Sequence, residues 1–150
     1  MNPVELHPML VHFPIALFLT MLLVEVLWRI RRESWLERAS ALLLDLSAIS
    51  SVLTVAAGFL AAVAGGVPLS SLLAGEEAGG VAGAVAEHMQ RGLFAMVLLV
   101  GLAFYRHRVR RAGRSWEGWL AWAGLALAFL MVLTAGLSGG ELVYRLGFGR

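Results

Sequence analysis

Apolar residues in this chain gather into four long runs, at about 8–28, 36–64, 84–105 and 116–137. Each is long enough to cross a hydrocarbon core, which takes about 20 helical residues. The fourth can extend past Gly136, Gly139 and Gly140 to Tyr144. The one sizeable loop is Gly65–Gly83, in which Pro68–Leu73 reads as a short surface helix and 76–80 as a mobile turn. The pattern predicts an all-α, integral membrane four-helix bundle forming a single domain over residues 1–150. The first run reads as a span and not a cleaved leader: no basic segment precedes it and no small-residue cleavage site follows it.

Charge then orients the bundle. The first connection carries Arg29, Arg31, Arg32 and Arg38, and the third carries Arg106, Arg108, Arg110, Arg111 and Arg114. Odd-numbered connections of a four-span protein share a side, and a cluster of basic residues marks the cytoplasmic one. Both termini are then expected on the outer, periplasmic side of a bacterial inner membrane. Trp28, Trp35, Trp116, Trp119 and Trp122 flank the arginine-rich side as an aromatic belt would.

Composition narrows the chemistry. The chain is 59% hydrophobic, whereas soluble domains are roughly half apolar. It has no cysteine, which excludes disulfides, thiolate metal sites, iron–sulfur clusters and covalently attached c-type haem. All 12 basic residues are arginine and sit beside apolar runs, not on one soluble face as a nucleic-acid surface requires. No catalytic constellation is visible, so no transforming enzyme is expected.

The stretch that carries chemistry is Leu6-His7-Pro8-Met9-Leu10-Val11-His12-Phe13-Pro14. A polar side chain at membrane depth needs a partner and by default marks a function. His12 lies 17 residues before Arg29, and His88 lies 18 before Arg106. At about 1.5 Å per residue both are about 25–27 Å from the arginine-rich side, at one level. His12 and His88 are therefore expected to face each other as axial ligands of a haem b iron, since imidazole suits iron and bundle cores hold cofactors. His7 lies five residues before His12, so on an ideal helix the two point about 140° apart. Because it precedes Pro8, His7 is expected at the helix start, folding over the site. Arg91 is placed to hold a propionate, and Gly58 or Gly92 to make room for a flat cofactor. Tyr144 and Arg145 would cover the site.

Other readings of the same residues stay open. His12 could take the Leu10 carbonyl that Pro14 leaves without an amide partner. His7, His12, Glu87 and His88 could hold a metal, or the histidines a quinone. The stripe Ser50, Thr54, Gly58, Ala62 reads first as close helix packing. Glu25 is expected to pair with Arg29, Asp45 to face the bundle interior, and His107 to be solvated.

The opening motif, continued by Ile15-Ala16, and the closing Gly139-Gly140-Glu141-Leu142-Val143-Tyr144 with Gly147 resemble the bacterial membrane family called domain of unknown function 2231. The resemblance covers the whole chain. It implies a small four-span module, with relatives beside or fused to c-type cytochrome or Rieske-like domains, and hence a redox role with such a partner on the outer face. The leading expectation is a b-type haem electron-transfer module. The alternative is a non-redox structural or assembly subunit, or a small channel working as a homo-oligomer.

Overall fold

The computed structural model describes residues 3–74 and 79–148. Six helices follow one another: α1 (Pro3–Leu10), α2 (His12–Arg31), α3 (Ser34–Ala64), α4 (Leu69–Ala74), α5 (Gly80–Arg111) and α6 (Trp119–Tyr144). No strand occurs among the described residues. Four stretches are long and apolar enough to cross a membrane: Leu6–Arg31, Ser34–Ala64, Gly80–Arg111 and Trp119–Tyr144. The chain is thus an all-α membrane protein whose spans match the four apolar runs and overshoot them. At 31 and 32 residues, α3 and α5 are about 45–50 Å long, well beyond a core of about 30 Å. The expected loop at 65–83 is correspondingly short, since α5 begins at Gly80. Glu76 and Glu77, expected in a mobile turn, lie outside the described residues.

Sequence neighbours are spatial neighbours: α2 packs on α3, α3 on α5, and α5 on α6. Short connections leave few other choices for consecutive antiparallel helices. Phe18, Met21, Leu44, Leu99 and Leu125 are fully buried and fill the middle of the bundle. Leu23, Ile49, Val97 and Leu130 point outward, as residues that contact lipid should. In lipid that outer surface gains nothing by being covered, so specificity rests on packing and internal polar bonds.

Those polar bonds concentrate at the arginine-rich end. Glu25 of α2 is 0% exposed. Its carboxylate accepts from Arg29 Nε at 3.1 Å and Nη2 at 2.9 Å, from Ser40 Oγ at 2.5 Å, from Arg106 Nη1 at 3.2 Å and from Trp116 Nε1 at 2.9 Å. The Arg106 guanidinium carbon also stands 5.0 Å from the centre of the Trp116 ring. The expected Glu25–Arg29 pair is present, and it is one edge of a buried cluster that joins three spans and the loop before the fourth. Arg106, read from sequence only as a topology signal, is 2% exposed and central to it. Outside the spans, the Arg32 guanidinium bonds Glu117 and holds that carboxyl below the usual carboxylate range.

One expectation fails here. Asp45 does not face the interior: it lines a shallow groove between α3 and α5 with Ala48, Ile49, Val52, Val100, Ala103 and His107. His107 is exposed, as expected, and its Nε2–H donates to both Asp45 oxygens, at 3.0 and 3.1 Å. The reason is position on the helix. Leu44, Ser47 and Ala48 take the buried face of α3, which turns Asp45 to its edge, where the long α5 brings His107 alongside.

Candidate functional site

At the opposite end, prolines shape the first span. Three of the chain's 4 prolines are Pro3, Pro8 and Pro14. Val11 belongs to neither α1 nor α2, yet its backbone stays helical at φ −61°, ψ −26°, and the hydrogen-bond ladder breaks here because Pro14 has no N–H to give Leu10. Thr54 repairs the loss: its Oγ1 donates to the Leu10 carbonyl at 3.3 Å. One turn on, Ser47 Oγ donates to the Pro14 carbonyl at 3.1 Å. These contacts fasten the proline-bearing segment to α3 and direct one face of α1 inward.

That face carries His7, not His12. The rings of His7 and His88 are 6.0 Å apart, centre to centre, at an interplanar angle of 73°. His12 is exposed, and its Nδ1–H donates to the Pro8 carbonyl at 2.8 Å, bridging the junction of α1 and α2. The expected His12–His88 pair is therefore corrected to His7–His88. His7 is helical in spite of the following proline, since α1 runs from Pro3. The five-residue spacing allows only one of the two histidines to face the bundle, and α1 docks on α3 through the His7 side.

Both imidazoles are held the same way. His7 Nδ1 lies 3.1 Å from the Thr54 carbonyl oxygen. A carbonyl only accepts, so Nδ1 carries the proton. His88 Nδ1 lies 3.0 Å from Ser138 Oγ, whose own proton goes to the Ala135 carbonyl at 3.0 Å. Ser138 must then accept, and Nδ1 of His88 is also protonated. Each neutral ring is left with its lone pair on Nε2. Fixing Nδ1–H to a protein oxygen is how ligating histidines are oriented for a metal. Two imidazoles binding one ion at about 2.0 Å through Nε2 would stand with ring centres about 6 Å apart.

Glycines seat the rings. A Cβ at Gly58 would lie 2.9 Å from His7 Cε1, and one at Gly139 would lie 2.9 Å from His88 Cε1. Gly58 was expected to make room for a flat cofactor; what it directly admits is His7. The helix runs through Gly139 because His88 fills the space above it. Gly92 is one turn from His88 on the inward stripe of α5 that continues to Ala95 and Leu99, yet nothing lies within 4 Å of its Cβ position. Gly139→Ala should push the tethered His88 ring and cost about 1–3 kcal/mol, as overpacking does, whereas Gly92→Ala should leave stability unchanged. Thermal unfolding in detergent separates the two.

The remaining expected site residues are dispersed. Arg91 is half-exposed and paired with Glu87, one turn away. Tyr144 is 79% exposed at the end of α6. Beyond it the chain hooks back: Gly147 takes φ +67°, Phe148 N–H donates to the Leu142 carbonyl at 2.9 Å, and the Phe148 ring lies against Gly65. The closing motif thus seals an apolar cluster of Ala62, Val67, Val85 and Leu142 beside the histidines. The metal site expected from His7, His12, Glu87 and His88 is not assembled: among the described residues no group of three or more metal-ligating side chains forms.

The chain matches over residues 3–150 the family described as predicted membrane protein (DUF2231), and it belongs to that family. No curated protein and no solved structure matches it.

Proposed function

We propose that this chain is a membrane-embedded haem protein that carries electrons, with His7 and His88 as axial ligands. The observation that carries the reading is the paired imidazoles: 6.0 Å between ring centres, both Nδ1 protons committed to protein oxygens, both Nε2 lone pairs uncommitted. The count of donors favours haem over a bare ion. An ion held by protein alone needs three or four ligands, whereas haem brings four nitrogens of its own and asks the protein for two. Gly92 and Arg91 each lie within a turn of His88, Gly92 with no atom within 4 Å of its Cβ position, and Arg91 would be within reach of a propionate. Bound haem would supply one-electron chemistry. The residues' part is to hold the iron, keep water away with the Leu142–Phe148 cluster, and set the potential through the bonds to Thr54 and Ser138.

Placement suits exchange with an outside partner. The pair lies at the end shared by both termini, which the arginine bias assigns to the periplasmic face of a bacterial inner membrane. A c-type cytochrome or a Rieske-like domain is a partner of the right kind. The test is the absorption spectrum of protein expressed with haem supplied, oxidised and then reduced with dithionite. A Soret band with sharp reduced α and β bands is expected. A colourless protein under those conditions overturns the reading.

A further inference from the structure

A second polar feature lies away from the histidine site, where α3 meets α5 on the outer surface of the bundle. Ala48 and Ala103, 6% and 8% exposed, line the groove between the two helices, and Ile49, Val52 and Val100 stand exposed around them. Small side chains on both helices leave a hollow there of about 490 Å³. A helix about 10 Å across would fill that volume with little more than one turn. A single hydrocarbon chain therefore suits the groove better than a helix of a second copy. The apolar lining stops at Asp45 and His107, which bond each other.

Beyond that polar step the same two helix faces carry arginines. Arg38 precedes Asp45 by seven residues, two turns of α3, so the two share a face about 10 Å apart. Arg111 follows His107 by four residues, one turn of α5, on the face that also carries Ala103 and Val100. Both arginines are exposed. Among the described residues neither bonds another side chain, whereas the nearby Arg110 stands 4.0 Å from Glu37. Trp35 is exposed one turn before Arg38, as a tryptophan at headgroup level would be. Along the groove the order is hydrocarbon lining, polar step, unpaired guanidiniums.

We infer that the α3–α5 groove binds one anionic glycerophospholipid of the leaflet at the arginine-rich end. An acyl chain lies along Ala48, Ile49, Val52, Val100 and Ala103. The glycerol esters pass Asp45 and His107, and the phosphodiester meets Arg38 and Arg111. Charge selects the class. A headgroup whose only charge is its phosphate keeps both guanidinium contacts, whereas a choline headgroup brings its own cation against the same arginines. Asp45 stands off from the phosphate, two turns from Arg38, and already accepts from His107. The site does not depend on the haem reading and lies at the other end of the bundle from His7 and His88.

Native mass spectrometry of the detergent-solubilised full chain, titrated with dioleoyl phosphatidylglycerol or dioleoyl phosphatidylcholine, tests this. Each arginine beside an anionic lipid contributes about fivefold in affinity, so one phosphatidylglycerol should be held about tenfold or more tightly than phosphatidylcholine. Arg38→Gln with Arg111→Gln should abolish that preference. Arg31→Gln with Arg114→Gln removes the same charge from residues that are also exposed but lie outside α3 and α5, and should keep it. None of the four bonds another side chain among the described residues, so both double variants should show wild-type helicity by circular dichroism. Val100→Trp, which fills the groove and leaves the arginines alone, should weaken retention of phosphatidylglycerol. Inorganic phosphate should not displace the lipid.

Equal loss of preference in the two double variants overturns the inference, because the lipid is then held by the general charge of this end. Equal retention of the two lipids by the wild type overturns it as well. So does displacement by inorganic phosphate, which would make the site one for a free anion, and so does unchanged retention in Val100→Trp, which would leave the groove without a part.

Discussion

Glu25→Ala should destabilise the protein by about 3–5 kcal/mol, the usual result of removing one member of a buried ion pair. The magnitude follows from what would be stranded. Among the described residues the Glu25 carboxylate is the only acid bonded to Arg106, which is 2% exposed, and it also takes Arg29, Ser40 and Trp116. Without it, two guanidiniums face each other in a low-dielectric interior, where an uncompensated charge is most costly. Glu25→Gln should be nearly as damaging, because it keeps the shape and loses the charge. Glu25→Leu combined with Arg106→Met should recover much of the loss, as apolar replacements of whole buried pairs do. Glu117→Gln, in the exposed pair with Arg32, should leave the thermal midpoint where it was. Unfolding midpoints of the four variants in one detergent check the series. A Glu25→Ala midpoint equal to wild type would mean that the cluster does not hold the spans together.

The second large effect concerns the histidines, and it separates three residues that look alike in sequence. On the proposed haem reading, His88→Ala should abolish haem binding, since it removes the proposed ligand that is anchored within the long α5. His7→Ala should keep haem with one axial histidine, broadening and shifting the reduced bands. His12→Ala should bind haem with an unchanged spectrum, because its ring is exposed and serves only the Pro8 carbonyl. Haem content per protein, measured as the pyridine complex, together with reduced spectra, distinguishes the outcomes. Loss of haem in His12→Ala with retention in His7→Ala would reverse the assignment of ligands.

Much of the architecture can be read from hydropathy alone, because lipid allows few spanning structures. Four apolar runs become four spans, and α6 continues through its glycines to Tyr144. A histidine of the opening motif near the level of His88 is also legible, although the rise per residue puts His12, not His7, at that level. Which histidine of the opening motif turns inward is not. His7 and His12 are about 140° apart, and the choice rests on which face of α1 docks on α3. Thr54 and Gly58 decide it, one by taking the Leu10 and His7 groups and the other by admitting the ring. The stripe containing both was visible, yet its role as the seat of His7 depends on how α1 docks on α3. Arg106 and Asp45 were misjudged for a related reason. Hydropathy gives depth but not rotation about the helix axis, and these two residues differ from expectation only in the direction they face.

The most direct test of the central claim is the low-temperature electron paramagnetic resonance spectrum of the oxidised, haem-supplied protein. The angle between axial imidazole planes governs the splitting of the iron orbitals. Planes at 73° are near perpendicular and should give a strongly anisotropic low-spin ferric signal with one dominant line at very low field, absent in His88→Ala. Parallel planes would give a three-line rhombic spectrum instead. That pattern would contradict the His7–His88 geometry, and the absence of any low-spin ferric haem signal would contradict the ligand assignment itself.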